Sequence, residues 1–291
     1  MWPQLWNDFD ARVQALGGAA PPGPIERAIQ FQIDGQQPFS PAPLAPHELH
    51  LPEIYSGAPW RLSDVPALGG RWIAFVGPNP AHDPESFYPS TAVRAQSGDA
   101  AVISFFEQRF EPVVFQQPIV HGTAPQVGGP TVWMRTPNGQ PRPRSQATWR
   151  QINDRLGDLL ADAGLHSQAP LGRVAAMVDM APWKFNNWSK ADAPLQQGLL
   201  VAGLPFLTWV IDHFQPSAII LLGVDAWNAF RIVSPALPAY HQAGRPVRQG
   251  TMAAHHGHVP VFGIPHTNAR HGAFHIAFDA LIPLLRAALQ I

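Results

Sequence analysis

The sequence predicts an α/β fold: a three-layer α/β/α sandwich around a central four-stranded, mostly parallel sheet. Three observations predict it. Four short apolar runs, at 72–76, 174–180, 218–222 and 259–264, have the length and composition of buried parallel strands. Segments of helical period lie between them. The chain has 291 residues, 46% of them hydrophobic, enough to cover both faces of such a sheet. Strands that alternate with helices imply a parallel sheet buried on both sides.

The elements follow in chain order. Residues 1–16 place Trp2, Leu5, Trp6, Phe9, Val13 and Leu16 at helical spacing, with Asp8, Asp10 and Arg12 between them. That is an amphipathic helix ending at Gly17-Gly18, not a signal peptide. Residues 17–66 are rich in proline and glycine and show no clear period, which predicts an irregular wrap. Residues 1–66 are thus expected to form an N-terminal helix and Pro-rich wrap, and 67–291 the main domain. An inserted segment at 89–144 breaks the alternation. It holds a short apolar stretch at 102–110, then Pro and Gly with Arg135, Arg142 and Arg144. It is long for one crossover, and long excursions beside a site serve as lids or pocket walls. Ser145 can cap a helix whose Trp149, Ile152, Leu156, Leu159, Leu160 and Ala163 share one face, with Gly164 ending it. Further helices are expected at 194–214, after Gly223, and at 273–289.

Composition narrows the function. The formal net charge is −1, which argues against a large non-specific nucleic-acid footprint but leaves room for a local one. From Arg231 onward there are five arginines, seven histidines and one acid, so the C-terminal part is locally cationic. The chain has no cysteine, which excludes disulfides, thiolate zinc sites and iron–sulfur clusters. No apolar run reaches the length of a membrane span. The expectation is a soluble cytoplasmic protein with no membrane partner. Neither a dinucleotide-binding fingerprint nor a Walker loop is present.

In parallel sheets the site lies beyond the carboxyl ends of the strands. The first strand ends in Gly77-Pro78-Asn79-Pro80-Ala81-His82. A turn between two prolines fixes Asn79 at the mouth of the sheet, although Asn and Pro are also common in plain strand-to-loop turns. The last strand ends in Ile264-Pro265-His266-Thr267-Asn268-Ala269-Arg270-His271-Gly272, before a helix. A polar loop entering a helix N-terminus suits a phosphate. A satisfied loop histidine and a solvated surface arginine account for His266 and Arg270 equally well.

Together these stretches resemble the uracil-DNA glycosylase superfamily. The Gly-x-Asn-Pro turn is similar to the water-positioning motif of its mismatch-specific and single-strand-selective branches. The 266–271 loop resembles the His-Pro-Ser-Pro-Arg-Asn loop of the single-strand-selective branch, departing from it at Thr267 and Ala269, where prolines usually stand. Pro216-Ser217-Ala218-Ile219-Ile220-Leu221-Leu222-Gly223 resembles the family's third strand. The resemblance spans about residues 70–290.

The resemblance implies an enzyme, a monofunctional DNA glycosylase that extrudes a pyrimidine, hydrolyses its N-glycosidic bond and leaves an abasic site. Asn79 orients the attacking water; an amide is no general base, so its contribution is placement. His266 donates to the carbonyl oxygen of the departing base. Arg270, with Thr267, Asn268 and His271 in the same loop, meets the DNA. Asn79, Asp179 and His266 are expected to converge around one nucleobase-sized hole. No cofactor, metal or obligate protein partner is called for, and the partner is DNA.

Val178-Asp179-Met180-Ala181-Pro182 resembles the family stretch in which an asparagine reads the base edge. Asparagine offers one donor and one acceptor, which suits uracil. Ionised aspartate only accepts and would face uracil O4 with like polarity. A protonated Asp179 matches the N4 amino group and N3 of cytosine, and burial favours that form. It can also protonate the leaving base. The alternative is that Asp179 caps a backbone N–H and reads nothing. The uracil-specific branch has a tyrosine after the motif proline, blocking C5 substituents; here Ala81 leaves that space open. The favoured substrate is therefore a C5-modified cytosine, hydroxymethylated or glucosylated, as in phage DNA, which implies antiviral defence. Phe87, Tyr88 and Trp183 are candidates to stack on the base or sugar, and each equally fits core or loop packing. A uracil-excising repair enzyme is the alternative.

Two readings of other classes stay open. His255, His256 and His258 cluster, and His271 and His275 lie one helical turn apart, a pattern a metal-dependent hydrolase could use. Acidic ligands are missing nearby, and a His-rich loop beside a phosphate site accounts for the cluster more simply. A non-catalytic DNA-binding module that keeps the fold is the other.

Overall fold

The computed structural model describes residues 2–18, 20–36, 49, 51–56, 66–79, 86–87, 132–135, 141–144, 147–165, 174–185, 188, 191–241, 246–266 and 272–291. The chain divides into two compact units. The first comprises residues 1–54, 79–146 and 181–203, and the second 55–78, 147–180 and 204–291. The expected division at residue 66 differs from this one: the segments that leave the first two parallel strands group with the N-terminal region.

The second unit carries the sheet. Its strands are β1 (Tyr55–Ser56), β2 (Ile73–Gly77), β6 (Ala175–Asp179), β7 (Ala218–Leu222), β8 (Arg248–Ala254) and β9 (Gly257–Ile264). Their order is β1-β6-β2-β7-β9-β8. β6, β2, β7 and β9 run parallel, and they are the four strands the apolar runs predict. β1 and β8 pair antiparallel at the two edges. The sheet is therefore mixed, with six strands when the two-residue β1 is counted and five without it, not four. β8 escaped prediction because an edge strand solvated on one face reads as polar: Gln249, Thr251 and Ala253 are exposed while Arg248 and Met252 are buried.

The parallel strands are held by apolar burial. Ile73–Val76, Ile219–Leu221 and Val261 are fully buried. At about 25 cal/mol per Å2 such burial dominates the stability of this unit. Ser217 N donates to Trp72 O at 2.8 Å, and Trp72 Nε1 donates to Phe214 O at 2.6 Å, fixing the entries of β7 and β2. Helices α3 (Ala147–Asp162), α5 (Gly223–Val233) and α6 (Ala273–Leu289) follow the sequence expectation closely. In α3, Ile152, Leu156, Leu159 and Leu160 are buried as the period requires. Arg155 and Arg286 tie α3 to α6 through Asp279 and Asp162.

The first unit corrects the expected irregular wrap. α1 (Trp2–Gln14) is followed by α2 (Pro24–Gln36), a helix within residues 17–66. Pro24 stands at its first position, where a missing N–H costs nothing. Ile25, Ala28, Ile29 and Gln32 form its buried stripe. Leu5, Trp6 and Phe9 are the buried face of α1, and Trp6 Nε1 donates to Pro52 O at 3.2 Å. Arg12 pairs with Asp8 and with Glu26, joining α1 to α2. Three short strands, β3 (Ser86–Phe87), β4 (Val132–Arg135) and β5 (Pro141–Arg144), form a separate antiparallel sheet. The apolar stretch at 102–110 and most of the 89–144 insertion lie outside the described residues.

The long helix α4 (Ala193–Phe214) forms over the residues expected, 194–214. Its 22 residues are long and apolar enough to cross a membrane by length and composition alone, a test that a core helix passes as well. Asp212 Oδ1 accepts from His255 N at 2.9 Å.

Candidate active site at the strand ends

The four parallel strands present their carboxyl ends together, and in chain order their arrangement is second, first, third, fourth. Such a reversal beside the first strand creates a crevice. Each strand end delivers one residue of interest.

Gly77 closes β2 and pairs in register with Asp179, the last residue of β6. Met180 N donates to Gly77 O at 3.0 Å, extending the ladder one step further. Asp179 is only 4% exposed, so a carboxyl group is buried at the strand end the sequence nominates. Burying that group demands hydrogen-bond partners, and Asp179 does engage a neighbour.

β9 delivers His266, two residues beyond Ile264. Next to it, Gly223 follows β7 with φ of 89°. A Cβ on Gly223 would stand 3.6 Å from His266 Cβ, so the ends of β7 and β9 meet closely there. The N-terminus of α5 begins at this glycine and has no side-chain cap, an end that favours negative charge. His266 keeps an exposed surface. Partial withdrawal of the ring from water nevertheless holds its pKa below the ordinary 6.5, so the imidazole is neutral at pH 7.

Within the first unit, Asn79 has its amide nitrogen anchored. Nδ2 donates to Phe185 O at 2.7 Å and to Trp183 O at 3.5 Å. Carbonyl oxygens accept only from the amide nitrogen, which fixes the orientation of the group and makes Oδ1 its acceptor end.

The remaining nominated residues divide into three groups. Trp183 is 1% exposed, a core residue whose ring faces are covered by protein rather than offered to a base. Phe185 and Trp188 pack in the same way. Phe87 lies in β3, and its side chain is outside the described residues. Ala81, Tyr88, Thr267, Asn268, Arg270 and His271 also lie outside them.

The histidine cluster is placed differently from expectation. His255 and His256 form the turn between β8 and β9, and His258 is the second residue of β9. They stand at the amino end of the strand whose carboxyl end leads to His266, roughly 25 Å away along the strand direction. The cluster is therefore not a loop beside a phosphate site at the strand ends. His275 Nδ1 accepts from Arg155 Nε at 3.2 Å. Among the described residues no group of three or more His, Asp or Glu is arranged to hold a metal.

Three residues near Asn79 were not nominated from sequence. Glu53 and Lys184 form an ion pair with side chains 2% and 1% exposed, and Gln32 is fully buried. They lie 131 and 152 residues from the partners they bond, beyond the reach of any local pattern. A cleft of about 960 Å3 in the first unit runs along the end of α1, the 17–23 turn and α2, and includes Phe185 but none of the nominated residues.

No known protein family, curated protein or solved structure matches this chain.

Proposed function

We propose that this chain is a DNA glycosylase with a uracil-DNA glycosylase-like α/β/α sandwich, acting on a C5-modified cytosine. The register pair Gly77–Asp179 carries the proposal. It puts a buried acid at the end of one strand, beside the strand that runs into the Gly-Pro-Asn-Pro turn.

In this reaction the target nucleotide is flipped out of the stack. Water adds to the sugar C1′, and the bond to the base breaks with its electrons going to the base. Asn79 Oδ1 orients the water, and the anchored nitrogen supports that role because the amide is held in one orientation. Protonated Asp179 donates to N3 of cytosine and accepts from its N4 amino group. As the bond breaks, the Asp179 proton passes to the base, which departs neutral, while the attacking water gives up a proton to solvent, from which Asp179 is reprotonated. His266 donates an N–H to the carbonyl oxygen of the base, and its lowered pKa supports a neutral imidazole as that donor. The small side chain at Ala81, where the resembled uracil-specific branch has a tyrosine, supports a substrate with a hydroxymethyl or glucosyl group, and Arg270 is the residue proposed for the DNA backbone. Such bases occur in phage DNA, so the cellular role proposed is antiviral defence.

The test uses oligonucleotides carrying uracil, cytosine, hydroxymethylcytosine or glucosylated hydroxymethylcytosine, scored for abasic sites after incubation with the protein. Release of a modified cytosine is expected. Preference for plain uracil would overturn the role of Asp179, and absence of abasic sites with every base would overturn the glycosylase.

A further inference from the structure

The backbone from Pro182 to Phe185 has all four of its carbonyl oxygens bonded. Pro182 O accepts from Glu53 N at 2.8 Å. Lys184 O accepts from Gln32 Nε2 at 3.4 Å. Trp183 O and Phe185 O accept from Asn79 Nδ2. The partners alternate: residues 182 and 184 bond Glu53 and Gln32, whereas 183 and 185 bond Asn79. The two sets of partners come from different parts of the chain: Glu53 and Gln32 hold residues 182 and 184, and residues 183 and 185 hold the asparagine.

The grip is reinforced by charge. Lys184 Nζ bonds the Glu53 carboxylate, and neither side chain is more than 2% exposed. Glu53 therefore holds the segment twice, by its main-chain N–H and through the Lys184 side chain. A buried ion pair is a poor way to gain stability, because an apolar pair of the same shape does as well or better. What charged and hydrogen-bonded groups add is direction.

We infer that Glu53, Lys184 and Gln32 are positioning residues that fix the orientation of the Asn79 side-chain amide through the 182–185 backbone. The effect on rate rests on the proposed role of Asn79; the effect on the amide itself does not.

The paired substitution Glu53→Leu with Lys184→Met removes both charges and keeps the volume. Single-turnover base release should fall on the order of 10²-fold, the cost of a small misplacement, with DNA binding and melting temperature retained. The same pair placed on Asn79→Ala should lower the rate no further. An unchanged rate in a folded paired variant overturns the inference, as does a full additional loss in the Asn79→Ala background. Should the paired variant not fold, Gln32→Met, which keeps length and loses the donor, is read in the same way with a smaller fall.

The Asn79 side-chain amide protons, followed by 15N NMR, separate this inference from the glycosylase itself. The wild type should show two dispersed, slowly exchanging protons, and the variants faster exchange. Faster exchange in the variants with no base release from the wild type removes the glycosylase and keeps the clamp. Unchanged exchange removes the clamp whatever the activity.

Discussion

The parallel strands of the second unit and the 181–185 segment of the first are equally buried and are held by opposite means. Ile73–Val76 and Ile219–Leu221 are apolar, and their backbone groups bond one another along the ladder. Residues 181–185 are all buried, yet the carbonyls of 182–185 go to side chains and a main-chain N–H from distant parts of the chain. Burial alone does not say what a region is for. Apolar contact is non-directional and yields stability. Side-chain hydrogen bonds to backbone are directional and yield a defined orientation, at a desolvation cost the fold has to offset.

Asp179 breaks that contrast, and changing it carries the largest expected effect. It is a buried acid at the end of an otherwise apolar strand whose residues are all buried. If it protonates the leaving base, Asp179→Asn keeps one hydrogen-bond donor and one acceptor, which the amide can turn to either cytosine or uracil, but removes the transferable proton. Release of modified cytosine should fall by about 10²- to 10⁴-fold, the contribution of a general acid. Uracil, the better leaving group, should lose less. An Asp179→Asn variant that releases modified cytosine at the wild-type rate would show that Asp179 is a structural polar group and not the acid.

Stability measurements sharpen the comparison at a smaller scale. Phe75→Ala opens a cavity under the sheet and should cost about 3–5 kcal/mol in denaturant melts. Glu53→Ala should cost about the same 3–5 kcal/mol, since it strands the Lys184 ammonium away from water. The two then part. Glu53→Leu with Lys184→Met should restore stability to near the wild-type value, because the pair is replaceable by apolar groups. Should the paired variant be as unstable as Glu53→Ala, the two regions would be held in the same way and the contrast would be lost.

That difference also governs what the sequence reveals. The strands at Ala218–Leu222 and Ile73–Gly77 announce themselves through local apolar runs bounded by turn residues. Helix α6 (Ala273–Leu289) appears over the residues its period predicts. Helix α2 (Pro24–Gln36) was hidden by the surrounding prolines, although its buried positions follow a helical spacing. Topology nominates residues at the strand ends, and the structure puts Asp179 at the end of its strand and His266 just beyond the end of another. The hold on Asn79 was invisible. Its parts, Gln32, Glu53, Lys184 and Phe185, come together only in the folded chain, and a buried Lys or Glu looks in sequence like any solvated charge.

The smallest expected effect concerns His266, where the apolar logic of β9 gives way to the polar end of the sheet. Its imidazole pKa lies below the ordinary 6.5 because the ring is partly withdrawn from water. The native chain therefore binds this proton less readily than the unfolded chain does. Above the unfolded pKa, about 6.5, neither form carries the proton and the group has no effect on the balance. As pH falls from there through the lowered native value, the unfolded chain takes up the proton first and stability is lost. His266→Gln abolishes this titration, so the variant's melting temperature should fall less steeply than that of the wild type across this acidic window. The difference should be modest, since the residue keeps contact with solvent. Parallel pH profiles would mean that the ring is as hydrated in the native chain as in the unfolded one, and the neutral donor proposed for the departing base would lose its physical support.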